Sequence, residues 1–159
     1  MDQAQWQARL PLIIFIMLLI PGISVFALPM QVKFAMVFLD YLPSFMQAWL
    51  LTVEEGVNAV ESNYPFLLYG FDWLAYGHVA IAIFFIPAIK NPTAHITIIN
   101  SGIIICTLMI PFVLVSGAVR YIPFWWRAGE CIFAIIGILL LLYTRKMVLL
   151  KLKLSVGNR

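Results

Sequence analysis

The stretch LPLIIFIMLLIPGISVFALPMQV, Leu10–Val32, carries no charged side chain along its whole length. A helix rises about 1.5 Å per residue and the hydrocarbon layer of a bilayer is about 30 Å thick, so about 20 such residues cross it. The stretch therefore reads as a transmembrane helix. Pro21 lies inside it and withholds the N–H that the Met17 carbonyl would receive, which predicts a kink near Met17. Arg9, the apolar run and Val25-Phe26-Ala27 also have the outline of a signal peptide cleaved after Ala27. Pro29 and the apolar continuation favour a retained anchor, and both readings stay open.

The rest of the chain has the same character. Of its 159 residues 64% are hydrophobic and 11% charged, with a mean hydropathy of +1.00. Soluble domains run roughly 45–50% apolar and about 25% charged, so a water-soluble fold is excluded. Three further apolar segments follow, at about 68–89, 96–119 and 125–143, separated by the Lys90-Asn91-Pro92-Thr93 turn and by an aromatic loop from Arg120 to Arg127. Asn-Pro is a strong breaker. The expected fold is all-α: one membrane domain, 1–159, built as a bundle of four transmembrane helices.

Between the first two spans the sequence is mixed. Phe45, Trp49, Val53, Val57 and Val60 recur at helical spacing, while Gln47, Glu54, Glu55, Asn58 and Glu61 occupy other faces. That pattern describes an amphipathic helix over about 43–61 lying on the membrane surface or capping the bundle. The alternative, a fifth span through Phe34–Val53, buries Asp40 near the bilayer centre.

Orientation follows from the cations near span ends. With the N-terminus inside, Arg9, Lys90, Arg145, Lys146, Lys151, Lys153 and Arg159 lie inside and Lys33, Arg120 and Arg127 outside, seven against three. Both termini are thus expected in the cytoplasm, in the cell (inner) membrane. The basic tail 145–159 reads as solvated or touching headgroups, each cation gaining about 1 kcal/mol from anionic lipid. The bilayer is the first partner; a membrane-protein partner or a second copy is the other. No basic stripe with interleaved aromatics lies outside the spans, so nucleic acid is not an expected partner.

An ionisable side chain inside a bilayer costs a few kcal/mol (~2.5–3.5 on insertion scales) and asks for a partner or a purpose. With the second span entering near Phe71, His78 falls about 10 Å below the outer interface; with the fourth entering near Trp125, Glu130 falls about 7 Å below it. Asp72 and Arg127 lie just above, at the level of Tyr76 and other aromatics. Asp72, Tyr76, His78, Arg127 and Glu130 therefore form a candidate polar pocket in the outer leaflet. The functional reading is proton exchange between His78 and Glu130, or binding of a polar or cationic ligand. The structural reading pairs Glu130 with Arg127 or with water, ties His78 to a backbone carbonyl, and makes the Trp and Tyr residues an ordinary interfacial belt.

No cofactor is expected. His78 and His95 lie at different depths, which argues against haem, and a metal set of Asp72, His78 and Glu130 has only its ligand types in favour. Cys106 and Cys131 also differ in depth and read as packing residues without a disulfide. Thr97, Asn100, Ser101 and Thr107, with Gly102, read as small polar packing residues of the third span. No motif of hydrolytic, redox or nucleotide chemistry occurs.

The strings Tyr64-Pro65-Phe66, Asp72-Trp73-Leu74-Ala75 with His78, and Ile122-Pro123-Phe124-Trp125-Trp126-Arg127 resemble those of small four-span bacterial inner-membrane proteins. The resemblance covers roughly residues 50–145 and implies the topology, with no activity attached. Three functions remain in view: a non-enzymatic accessory or association component, which leads; an outward-facing ligand-binding or transport protein; and a membrane enzyme using His78 and Glu130.

Overall fold

The computed structural model describes residues 3–157. It is 89% helix, with no strand among the described residues. Seven α-helices follow one another: α1 (Gln3–Met17), α2 (Ile20–Ser24), α3 (Leu28–Met36), α4 (Ser44–Asn63), α5 (Tyr69–Lys90), α6 (Ile96–Val119) and α7 (Phe124–Gly157). Four stretches are long and apolar enough to cross a membrane: Trp6–Met36, Pro65–Lys90, Ile96–Val119 and Phe124–Leu154. The chain is a multi-pass helical membrane protein.

The first stretch is interrupted before Pro21 and again before Pro29, while Pro11 stays inside α1. α1 ends at Met17, four residues before Pro21, and α2 resumes at Ile20. Pro29 lies just inside the start of α3, after a single 3-10 turn at Val25–Ala27, a position where its missing N–H costs nothing. A continuous helix through Phe34–Val53 is not formed. α3 stops at Met36, a 3-10 turn occupies Leu39–Tyr41, and Pro43 precedes α4. The segment expected to be amphipathic is the helix α4, and no residue in it is buried.

Two compact units emerge. The larger comprises residues up to Leu18 together with Ile81–Arg159; the smaller is Leu19–Ala80. In the larger, α7 packs against α6 and α1. Its buried face is a continuous stripe of Cys131, Ala134, Gly137, Leu141, Thr144 and Val148. These positions recur every three or four residues, the spacing of one helix face. Opposite lie Ala8, Leu12 and Phe15 of α1, Phe85 and Ala88 of α5, and Ile99 and Cys106 of α6. The Phe15 and Phe85 rings meet at a centroid distance of 4.8 Å. Gly102 lets the Phe85 ring and Leu141 seat against α6, since a Cβ there would overlap both. Small residues at helix contacts are the usual device where lipid removes the hydrophobic drive for association. Ile104, Leu108, Phe112, Ile132 and Leu139 face outward, as a lipid-facing surface requires. Among the described residues Thr144 is the buried polar one, and its hydroxyl donates to the Leu140 carbonyl at 3.0 Å.

α6 closes with a two-bond cap. Ile122 N–H donates to the Gly117 carbonyl at 2.9 Å and Tyr121 N–H to the Ala118 carbonyl at 3.1 Å, the Schellman arrangement. It requires a left-handed residue at the cap, and Tyr121 supplies it with φ 59° where glycine is usual. α7 does not stop at Arg145-Lys146. With no proline and no glycine between Ile138 and Val156 it continues to Gly157, so residues 145–157 of the basic tail are the end of the same helix, the last two lying outside the described residues.

In the smaller unit α3 packs against α4, and Val32 and Ala75 are buried. Lys33 of α3 and Glu61 of α4 form an exposed ion pair at 3.9 Å, a contact of little weight in water.

Candidate functional site

The five residues of the expected polar pocket divide between the units. Asp72, Tyr76 and His78 belong to the smaller, Arg127 and Glu130 to the larger.

His78 projects from α5, and its Nδ1 donates to the Leu74 carbonyl one turn back, at 2.8 Å. A carbonyl only accepts, so Nδ1 carries the proton. The opposite edge of the ring, Cδ2 and Nε2, lies against Gly22 in the space that a Cβ would fill. Pro21 breaks the helix and Gly22 leaves the gap; His78 occupies it. Sequence reasoning treated the Pro21-Gly22 break and His78 separately. Their common depth was the available signal, Gly22 standing about nine residues before Gln31 and His78 about seven after Phe71, within ~3 Å of each other along their helices. Nearby, the Ser24 hydroxyl donates to the Pro21 carbonyl at 2.7 Å, and the Gln31 amide donates to the Ser24 hydroxyl. The first of these bonds gives the Pro21 carbonyl a partner beside the break, and the second ties α3 to it through two side chains.

Asp72 and Tyr76 stand one turn apart on α5 and line the same groove, a cavity of about 530 Å3 also walled by Ile23, Phe26 and Met30. Asp72 is in the first turn of its helix, where the helix dipole favours a carboxylate.

In the other unit, Glu130 accepts the Trp126 indole N–H at 2.9 Å, a pairing within one turn of α7. Arg127 turns to α6: its Nη1 donates to the Leu114 carbonyl at 2.8 Å. Its stem lies on Gly117, where a Cβ would displace it, and the guanidinium carbon stands 5.6 Å from the Phe124 ring centroid. A cation there faces the negative end of α6. Arg127 Nε is buried and meets no acceptor. Arg127 and Glu130 thus take separate partners three residues apart on one helix.

One polar link went unforeseen. Arg145 Nε donates to the Asn100 side-chain oxygen at 2.9 Å, joining α7 to α6. Asn100, expected from its type and position only to pack, has a polar partner on α7. Arg9 of α1 likewise donates to the Lys90 carbonyl that closes α5. Among the described residues no three His, Cys, Asp or Glu side chains are placed to hold a metal ion. Cys106 and Cys131 are both free and buried.

The fold and these sites define a multi-pass helical membrane protein whose ionisable residues in the spans are tied mostly to its own backbone and side chains. No family model, curated protein or solved structure matches the chain.

Proposed function

We propose that this chain is a non-enzymatic component of the cell (inner) membrane that acts by association with a membrane-protein partner or a second copy. Its termini face the cytoplasm and α4 lies along the opposite membrane surface. The observation that carries the reading is the assignment of the chemically capable side chains. His78 is bonded to Leu74, Glu130 to Trp126 and Arg127 to Leu114. Each of these bonds holds a helix turn or a helix pair, a structural use of the side chain that needs no substrate to explain it. α4 adds support: only one side of it is half-buried, and Phe45 and Leu51 remain exposed. The excess of cations on one side of the spans supports the orientation.

The test is reconstitution of the purified chain into vesicles carrying a pH gradient and a trapped pH dye. Wild type is expected to dissipate the gradient no faster than empty vesicles, and Glu130→Gln is expected to lower the unfolding midpoint. A saturable flux that Glu130→Gln abolishes while the unfolding midpoint stays in place would overturn the reading in favour of transport.

A further inference from the structure

Two depressions in the smaller unit meet at Asp72 and Tyr76. The first, about 350 Å3, is lined by Tyr69, Asp72, Trp73 and Tyr76. Asp72 and Trp73 are adjacent, and each lies three or four residues from Tyr69 and from Tyr76, so the four share one side of α5. Trp73 stands edge-to-face with both neighbours, its ring centroid 6.0 Å from Tyr69 and 5.9 Å from Tyr76. Three aromatic rings and one carboxylate therefore border the same depression. The second depression is the groove of about 530 Å3, with Ile23, Phe26 and Met30 on one wall and Ala75 and Val79 on the other. Its volume is within the range of small-molecule sites, about 300–1,000 Å3.

The Asp72 carboxylate is half-buried and, among the described residues, meets no hydrogen-bond donor or cation. A carboxylate at the border of an apolar layer calls for a cation, and the faces of Trp and Tyr attract ammonium groups. Depth agrees. Asp72 and Lys90 are separated along α5 by about 27 Å, close to one hydrocarbon thickness of about 30 Å. With Lys90 at one interface, Asp72 stands at the other, among headgroups. The groove runs from there into the span and ends at Ile23 and Val79, which adjoin the Gly22–His78 contact. A shallow aromatic depression bordered by one carboxylate at headgroup level, continuous with an open apolar groove along the helix, suits an amphiphile that brings a cation and a hydrocarbon chain.

We propose that this depression binds a phospholipid whose headgroup ends in an ammonium, held between the Asp72 carboxylate and the rings of Tyr69, Trp73 and Tyr76, with an acyl chain in the groove beside Phe26 and Met30. An anionic headgroup without an ammonium is repelled by Asp72, and a plain hydrocarbon leaves that carboxylate unpaired. The site is independent of whether the chain works by association.

The test uses the full chain in vesicles of phosphatidylglycerol into which phosphatidylethanolamine with brominated acyl chains is titrated. Bromine quenches nearby tryptophan, and subtracting the signal of Trp73→Phe isolates Trp73 from the other four. Brominated ethanolamine lipid is expected beside Trp73 at about five- to ten-fold its bulk share. Asp72→Asn is expected to return it to that share, and Asp72→Glu to retain the enrichment. Quenching that follows bulk composition in wild type, equal quenching by brominated phosphatidylglycerol, or an Asp72→Asn variant with intact helicity and undiminished enrichment would each overturn the proposal. Should Asp72→Asn lose its helicity, Tyr76→Leu takes its place: enrichment is expected to fall, and an unchanged value overturns the site.

Discussion

Replacing Gly22 by alanine puts a methyl group into the space held by Cγ, Cδ2 and Nε2 of His78. The ring has little freedom to retreat, because Nδ1 is tied to the Leu74 carbonyl at 2.8 Å. Forcing a methyl into such a contact costs about 1–3 kcal/mol. Displacing the ring far enough to break its hydrogen bond adds about 0.5–1.5 kcal/mol. Alanine recovers about 1 kcal/mol over glycine inside a helix. The net expectation for Gly22→Ala is a destabilisation of about 2 kcal/mol. His78→Ala removes the obstacle, so in the double variant the new methyl meets open space and the two substitutions couple by at least about 1.5 kcal/mol. The assay is reversible unfolding in mixed micelles with a rising fraction of denaturing detergent, followed by circular dichroism for wild type, both single variants and the double. Additivity within about 0.5 kcal/mol would refute the reasoning, because residues in direct steric contact do not act independently.

Three further outcomes follow from the larger unit. Tyr121→Gly is expected to stabilise the chain by about 1 kcal/mol in the same assay, since glycine adopts the left-handed cap without the penalty a side chain incurs, and the Tyr121 side chain is 92% exposed. Leu141→Ala, at a fully buried position on α7, is expected to cost about 2–5 kcal/mol, whereas Leu139→Ala, 61% exposed on the same helix, is expected to stay within about 0.5 kcal/mol; equal losses would contradict the packing of α7. Asn100→Ala and Arg145→Ala are expected to couple by about 0.6 kcal/mol in a double-mutant cycle, the average for hydrogen bonds between helices in membranes.

What was legible in the sequence was what the bilayer itself imposes. A span needs about 20 apolar residues, and the four long apolar helices are where that requirement placed them. The interruption before Ile20 was legible at Pro21, which lacks a donor, but the missing donor alone did not decide it, since Pro11, Pro87 and Pro111 stand inside unbroken helices. The partners of polar residues were less so. Trp126–Glu130 and Leu74–His78 are separated by one turn and are within reach of periodicity arguments. Arg145–Asn100 and Gly22–His78 join distant positions, and helix spacing carries no information on which faces of two helices meet. The extension of α7 was missed for a different reason. Arg145-Lys146 marks the end of a hydrophobic stretch, but lysine and leucine are good helix formers, and a helix ends with its hydrogen bonds, not with its hydropathy.

That extension gives α7 a length of about 51 Å against a hydrocarbon layer of about 30 Å. Its buried stripe runs on to Val148, past the first cations at Arg145 and Lys146, so the outer turns keep the register set inside the membrane. Lys151 and Lys153 therefore point in directions fixed by the packing of Cys131 and Ala134 some thirty ångströms away (~1.5 Å per residue). Inserting one residue after Val148 would turn both lysines through about 100° around the helix while leaving the buried stripe and the Arg145–Asn100 bond before it untouched, which makes the terminal segment of α7 a pointer whose heading can be reset without altering what anchors it.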